Sequence, residues 1–129
     1  MFMVYDPLGN RVVLYEKTWL LHTAAKRLER DEQLPDLGDV RESVLNPDQI
    51  RRSLHPVLGP NSCVFEKFVG PDNQLLRVPV LYDLAEGVAY DDPGKSHGHV
   101  MTTFYPDPPY QSKNVGEIFW IRPKEEEGK

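Results

Sequence analysis

The sequence predicts an α+β fold in which N-terminal helices pack on one face of an antiparallel β-sheet. Two patterns predict this fold. Apolar residues recur at helical spacing soon after the start of the chain, whereas alternating, strand-forming residues predominate from Ser62 onward. A length of 129 residues, of which 40% are hydrophobic, fits one domain with its own core. We therefore expect a single domain over residues 1–122, followed by an acidic, solvated tail over residues 123–129.

Charge and composition exclude several classes of protein. The formal net charge is −5, which argues against broad, sequence-independent nucleic-acid binding but allows a local basic cleft. The single cysteine excludes an internal disulfide and a cysteine-based zinc cluster. No apolar run approaches the ~20 residues of a membrane span, and no signal-peptide pattern is evident at the start. The sequence thus predicts a cytoplasmic protein that does not interact with membranes.

A β-hairpin followed by a helix is predicted for the start of the chain. Residues 2–15 contain two apolar runs around DPLGN, whose proline and glycine are typical of a turn. Thr18 then provides a helix cap, and the helix is predicted to run to about Arg30. The apolar spacing predicts a buried stripe that consists of Leu20, Leu21, Ala24, Ala25 and Leu28.

Two further helices are predicted before the strands begin. Residues 34–45 have helical spacing, and Asp39 with Glu42 three positions later resembles a capping box. Residues 46–54 predict a third helix, because Asn46 is a favourable N-cap and a proline follows it.

Strands are predicted for the rest of the chain. Residues 62–70 and 74–83 alternate on either side of GPDN, which predicts a hairpin. Pro79 lacks a backbone N–H, so its strand either lies near a sheet edge or carries a bulge. Residues 84–98 are polar and predict an exposed loop. The last two predicted strands cover residues 99–107 and 117–122.

Two pairs of side chains are suited to catalysis or anion binding. His22 and Lys26 lie one turn apart on the first predicted helix, and an imidazole with a pKa near ~6.5 suits general acid–base work. Thr103 and Tyr105 share one face of the predicted strand 99–107, where their hydroxyls can bind an anion. Both pairs also have an ordinary interpretation, as an exposed or packed histidine and as good strand residues.

Basic residues on neighbouring strands form a third group. Lys67 and Arg77 are expected to oppose each other across the predicted hairpin, and Arg51 follows the predicted third helix cap. Together they indicate either a small cationic patch or the solvent face of a sheet.

The segment HGH offers possible metal ligands. His97 and His99, with Asp91 and Asp92 nearby, are suitable ligand types, but no further ligand stands at helical metal spacing. We therefore interpret this segment as a loop and expect no metal or other cofactor.

The order of three short motifs resembles a known family. The motifs are Trp19-x-x-His22, Asn46-Pro47-Asp48-x-x-Arg51 and Thr103-x-Tyr105. Over roughly residues 5–107 their order and spacing resemble the phage-type barnase–EndoU–colicin–RelE-like (BECR) nuclease domains. The resemblance implies a metal-independent endoribonuclease of the toxin or phage-effector type. In such an enzyme the RNA 2′-OH attacks the adjacent phosphate while the protein moves protons and stabilises negative charge.

The resemblance also implies roles for individual residues. His22 corresponds to the acid–base group, and Lys67 to the cation that faces the scissile phosphate. Thr103 and Tyr105 correspond to the groups that bind phosphate oxygens. The implied substrate-binding residues are Lys26, Arg51 and Arg77.

RNA is the partner that the resemblance implies, either tRNA or ribosome-associated mRNA, together with a protein inhibitor or antitoxin. The chain departs from the family pattern where the helix continues as KRLERDEQLPD rather than with an Arg-His-Pro-Glu-like segment. It is also acidic, which slows the approach of RNA. The alternative is therefore a catalytically inactive BECR-like module with an interaction or structural role.

Overall fold

One β-sheet organises the protein in the computed structural model, which describes residues 1–83, 96–107 and 114–123. Within these residues the strands are β1 (Phe2–Tyr5), β2 (Arg11–Leu14), β3 (Gln49–Ser53), β4 (Ser62–Val69), β5 (Gln74–Asp83), β6 (His97–Val100) and β7 (Val115–Ile121). They form a seven-stranded sheet in the order β1-β2-β6-β5-β4-β3-β7. All neighbours are antiparallel except β2 and β6, which are parallel.

Two helical segments accompany the sheet. The N-terminal helix is continuous through Glu16–Thr18, Trp19–Ala24 and Ala25–Glu29, and its middle part has π-helical hydrogen bonding. The second helix spans Leu37–Leu45. The predicted α+β class is therefore confirmed. No helix among the described residues is long and apolar enough to cross a membrane.

Both predicted hairpins are present in the sheet. β1 and β2 pair around the DPLGN turn, and β4 and β5 pair in register from Ser62↔Leu81 to Val69↔Gln74. Asn73 completes the second turn with a φ of 51°, a conformation that asparagine tolerates better than most residues. The last predicted strand is also confirmed, as β7.

The prediction of a third helix over residues 46–54 is wrong, because this segment forms β3. Ile50 is completely buried, and β3 pairs with both β4 and β7. The Asn46 N–H donates to the Glu42 carbonyl and thereby ends the second helix rather than beginning another. Pairing with two strands distant in sequence therefore overrides a favourable local cap.

The two other predicted caps are also wrong. Thr18 lies within the N-terminal helix, whose N-cap position is occupied by Tyr15 without a side-chain hydrogen bond. The second helix is capped by Asp36 and not by Asp39, since the Asp36 carboxylate accepts from the backbone N–H groups of Gly38 and Asp39.

The N-terminal helix buries a different face from the predicted one. Trp19, Thr23 and Arg27 are buried, at a spacing of four residues. Leu20, Leu21 and Leu28 of the predicted stripe are exposed, with Leu28 at 84%. Side chains four apart share a face in α-helical turns, so both sets of residues fit a helical spacing. The packing of Trp19, Thr23 and Arg27, and not the spacing, determines which face is buried.

The hydrophobic core lies between the second helix and the sheet. Val40 and Val44 of that helix are buried in one cluster with Phe65 of β4 and Val78 of β5. Alternation along the strands directs the intervening side chains to the opposite face. Glu66 and Arg77 are buried on that opposite face, where they form an ion pair.

Three strands are joined by the buried Glu66 carboxylate. Its Oε1 accepts hydrogen bonds from Gln49 Nε2 and Arg51 Nε, both at 2.6 Å. Its Oε2 accepts from Arg77 Nε at 2.7 Å. Burial by itself raises the pKa of Glu66, but the bonds from Gln49, Arg77 and Arg51 together outweigh it and hold the pKa below its ordinary value.

Some predictions fall on residues outside the described part of the chain. Most of the predicted loop over residues 84–98 lies there, as do residues 124–129 of the predicted tail. The predicted strand over residues 99–107 is shorter and begins earlier than expected, because β6 spans His97–Val100. The interpretation of the segment HGH as a loop is therefore wrong.

Replacement of Trp19 tests which face of the N-terminal helix is buried. Trp19→Ala removes a large side chain from the core and is expected to lower the free energy of unfolding by about 3–5 kcal/mol. Leu28→Ala changes an exposed side chain and is expected to stay within about 0.5 kcal/mol of wild type. Urea unfolding measures both, and a larger loss for Leu28→Ala contradicts the assignment.

Neutralisation of Glu66 tests the buried carboxylate. Glu66→Gln leaves Arg77 without its buried counter-ion. The free energy of unfolding at pH 7 is therefore expected to fall by about 3–5 kcal/mol. The matched control is Glu117→Gln, because Glu117 pairs with Arg52 at the surface, where such pairs contribute about 0–1 kcal/mol.

The difference in the free energy of unfolding between wild type and Glu66→Gln is expected to depend on pH. Since the folded-state pKa of Glu66 is lowered, its contribution is present above the unfolded value of about 4.3 and is lost as the pH falls through the folded value. The difference between wild type and Glu66→Gln should therefore be largest near pH 7 and shrink below about pH 4. A difference that is constant with pH contradicts this assignment.

Candidate functional site

A cavity of about 590 Å³ lies between the N-terminal helix and the sheet face that carries Glu66. Val64 and Pro79 contribute to it from the neighbouring strands β4 and β5. Ser53 and His55 contribute from the end of β3 and the residues that follow. We call this cavity the cleft. The helix side chains that line it are His22, Lys26, Arg27 and Arg30.

A bulge opposite Pro79 shapes one wall of the cleft. Val80 pairs with Val100, whereas Arg77 pairs with Phe104, so three residues on one side oppose two on the other. Pro79 lacks an N–H, and its carbonyl accepts from the Met101 N–H at 2.9 Å. The bulge lies in the segment opposite Pro79, and the strand that contains Pro79 is central, so neither alternative predicted for that strand is met.

Residues 101–103, which carry the bulge, are hydrogen-bonded to the N-terminal helix. The Thr102 hydroxyl donates to the His22 carbonyl at 2.8 Å and lies 3.5 Å from the Thr23 hydroxyl. Farther along, the Arg27 guanidinium lies over the Phe104 ring at 5.8 Å. These contacts hold the helix at a fixed position above the sheet.

Two imidazoles line the cleft. His22 is exposed on the N-terminal helix, which leaves its ring accessible to a ligand. His55 is held in place, because its Nδ1 accepts from the backbone N–H groups of Val57 and Leu58 at 3.2 and 3.4 Å. With Nδ1 as acceptor, the neutral ring carries its proton on Nε2. His55 therefore offers a donor on its other nitrogen.

The charge of the cleft differs in sign from that of the chain. Lys26, Arg27 and Arg30 line it against the carboxylates of Glu32 and Asp107. The cleft thus carries an excess of cations although the whole sequence has a net charge of −5. Such a local excess attracts anions at short range, where it outweighs the more distant acidic groups.

Tyr105 lies beside the cleft and also borders a second cavity. This second cavity, of about 650 Å³, contains Trp19 and three carboxylates, Asp36, Asp39 and Asp72. Burial is the main cause that raises the pKa of the Tyr105 phenol, and the nearby Asp39 and Asp36 raise it further. The phenol therefore stays protonated at neutral pH and can donate a hydrogen bond.

Three residues predicted for the site, His22, Lys26 and Tyr105, line the same cleft. Lys67 does not line it. On β4 it shares a face with Phe65, on the side of the second helix, and its Nζ donates to the Asn46 carbonyl at 2.8 Å. The expected opposition of Lys67 and Arg77 is also wrong, because Lys67 pairs with Leu76 and Arg77 with Glu66.

Thr103, Arg51 and Arg77 have structural partners in place of a ligand. Thr103 is completely buried, and its hydroxyl donates to the Arg77 carbonyl at 3.1 Å. Arg51 and Arg77 both bind the Glu66 carboxylate, and Arg51 Nη1 also donates to the Gly116 carbonyl. The expectation that His22, Lys67 and Thr103 meet at one phosphate is therefore not met by this geometry.

Sequence reasoning missed His55, Arg27 and Arg30. The erroneous third helix removed His55 from consideration, since it stood just beyond a predicted helix end. Arg27 follows Trp19 and Thr23 at intervals of four, a helical spacing that the sequence shows. The neighbouring leucines and alanines form a more apolar stripe, so hydrophobic spacing favours the other face.

The described residues contain no obvious metal centre. Within residues 1–83, 96–107 and 114–123, no three His, Cys, Asp or Glu side chains are grouped as metal ligands would be. His99 instead binds Asp83, with 2.6 Å between His99 Nε2 and Asp83 Oδ2. Asp91 and Asp92, considered as ligands above, lie outside the described residues.

Comparison with known proteins does not extend this picture. No protein-family model matches the chain, and no curated protein or solved structure matches it significantly. The chemistry of the cleft must therefore be inferred from its own residues.

Proposed function

We propose that the protein is a metal-independent endoribonuclease and that the cleft is its active site. One observation carries this proposal: the imidazoles of His22 and His55 line the same cavity as a cluster of cations. RNA supplies its own nucleophile, the 2′-OH, so the enzyme needs proton transfer and charge stabilisation rather than a nucleophilic side chain. Those two needs match the two kinds of side chain in the cleft.

The proposed reaction has a simple proton balance. The His22 imidazole accepts the proton of the 2′-OH as the 2′ oxygen bonds to phosphorus. The bond from phosphorus to the 5′ oxygen then breaks, the leaving oxygen takes a proton from water, and the His22 imidazolium returns its proton to solvent. His55, whose Nε2 carries the proton of the neutral ring, is proposed to donate a hydrogen bond to a phosphate oxygen. The Tyr105 phenol lies beside Asp36 and Asp39, which line the second cavity, so we assign it no step in this reaction.

The fold supports this placement of the site. The N-terminal helix is held to the bulged segment by Thr102, and the sheet face beneath is fixed by buried Glu66. Both walls of the cleft are thus positioned before substrate binds, which favours catalysis by preorganised groups. The biological setting of a toxin or phage effector, acting on tRNA or ribosome-associated mRNA and controlled by an inhibitor, is part of the same proposal.

A protein-interaction module is the second candidate function. It is supported by the exposed leucines of the N-terminal helix, Leu20, Leu21 and Leu28. Large apolar side chains clustered on one exposed helix are typical of surfaces that bind another protein. An RNA-cleaving protein with an inhibitor would also have such a surface.

Cleavage of RNA in EDTA tests the proposed function. Wild type is expected to cleave purified RNA and to leave 2′,3′-cyclic phosphate ends. His22→Ala is expected to lower the rate about 10²–10⁴-fold, as for loss of a general base. His55→Ala is expected to lower it about 10²–10³-fold, as for loss of a donor that stabilises the transition state. His97→Ala is the matched control, because this exposed histidine lies on β6 and does not line the cleft.

The outcomes separate the two candidate functions. Loss of activity in both cleft variants, with full activity in the control, supports the endoribonuclease. Absence of cleavage by folded wild type, on total RNA and on ribosomes, contradicts it and favours the interaction module. Normal cleavage by His55→Ala removes His55 from the proposed mechanism.

A further inference from the structure

Arg27 has an unusual environment for a charged side chain. Its residue exposure is 5%, and it lines the cleft. Its buried Nε has no hydrogen-bond partner among the residues that the structure describes. A buried, charged donor without a partner costs free energy, and such groups in native proteins are expected to have a reason. Arg27 lines the cleft, so a ligand that binds there beside the guanidinium would supply the missing partner.

Glu32 is the ion-pair partner of this guanidinium, and it is held only loosely. Its Oε1 lies 3.6 Å from Arg27 Nη1, beyond a normal hydrogen bond, and its side chain is 43% exposed. The backbone brings it there: Asp31 has a φ of 53°, and the Glu32 N–H donates to the Arg27 carbonyl at 2.8 Å. The turn after the helix thus places a weak counter-ion beside Arg27.

The guanidinium is oriented by its contact with an aromatic ring. Arg27 lies over the Phe104 ring at 5.8 Å, and Phe104 is itself fixed by two backbone hydrogen bonds to Arg77. Lys26 and Arg30, which also line the cleft, add positive charge. An oriented guanidinium with free donors and cationic neighbours is suited to binding a phosphate group.

We propose that Arg27 forms a phosphate-binding subsite in the cleft and that Glu32 competes with the phosphate for it. The anion is a phosphodiester of RNA, an assignment that rests on the proposed function. When the phosphate binds Arg27, the Glu32 carboxylate moves out to solvent, where it is already partly exposed. Glu32 therefore lowers the affinity of the cleft for RNA and prevents tight binding of simple anions.

Binding of a 2′-O-methyl oligoribonucleotide tests this proposal, because such a probe lacks the attacking hydroxyl and cannot be cleaved. Fluorescence anisotropy at fixed, low salt gives the dissociation constant. Glu32→Gln is expected to tighten binding about two- to fivefold, since a weak, partly exposed ion pair is removed. Arg27→Lys is expected to weaken binding about tenfold, because lysine cannot present two parallel donors.

Glu29→Gln is the matched control. Glu29 is exposed on the same helix, and its replacement makes the same change in net charge. The proposal requires that Glu32→Gln tighten binding more than Glu29→Gln does. Equal effects of the two variants would show a general charge effect and overturn the competition by Glu32. Wild-type binding by folded Arg27→Lys would overturn the subsite.

Two further comparisons separate the Arg27 subsite from the assignment to RNA and from nuclease activity. If Arg27→Lys fails to fold, the difference between Glu32→Gln and Glu29→Gln still decides the question. Inorganic phosphate, titrated in parallel by NMR, shows whether a free anion suffices, and binding of phosphate without the oligonucleotide contradicts the assignment to RNA. Probe binding that depends on Arg27, together with no RNA cleavage by wild type, supports the subsite and refutes the nuclease.

Discussion

The buried carboxylate of Glu66 is the interaction on which the cleft depends. It binds Arg51 of β3 and Arg77 of β5 directly, and Arg51 reaches β7 through the Gly116 carbonyl. Arg77 in turn pairs through its backbone with Phe104, which lines the cleft. One acidic side chain thus links four strands and one wall. Removal of a single partner from such a buried network leaves an uncompensated charge, so its members are tightly constrained.

The elements that sequence reasoning predicts correctly are those specified by local chemistry. Turn residues between two alternating runs were enough to predict both hairpins, and the spacing over residues 34–45 was enough for the second helix. β3 could not be predicted in this way. Its residues follow a good helix cap, and their extended conformation results from pairing with β4 and β7, which lie later in the chain. Nothing within residues 46–54 specifies those partners.

Only part of the candidate site could be predicted from the sequence. His22 and Lys26 lie in the cleft because they flank the buried face of a helix that the sequence does predict. Lys67 was assigned to the site although strand alternation places it on the opposite face from Glu66. Thr103 was misplaced because the bulge opposite Pro79 interrupts the alternation on which its assignment relied. Arg27 was not predicted because hydrophobic spacing favours the leucine face of the N-terminal helix, which is exposed.

The location of RNA on the protein is the central claim, and NMR mapping tests it most directly. Backbone amide shifts would be followed while a 2′-O-methyl oligoribonucleotide is added to ¹⁵N-labelled wild type. The claim predicts that the largest changes fall at Lys26, His55 and Phe104, around the cleft. Amides of Val40 in the second helix, and of Lys67, whose side chain points toward that helix, should change little. Changes centred on the second helix or on the exposed leucines, or no changes at all, would contradict the claim.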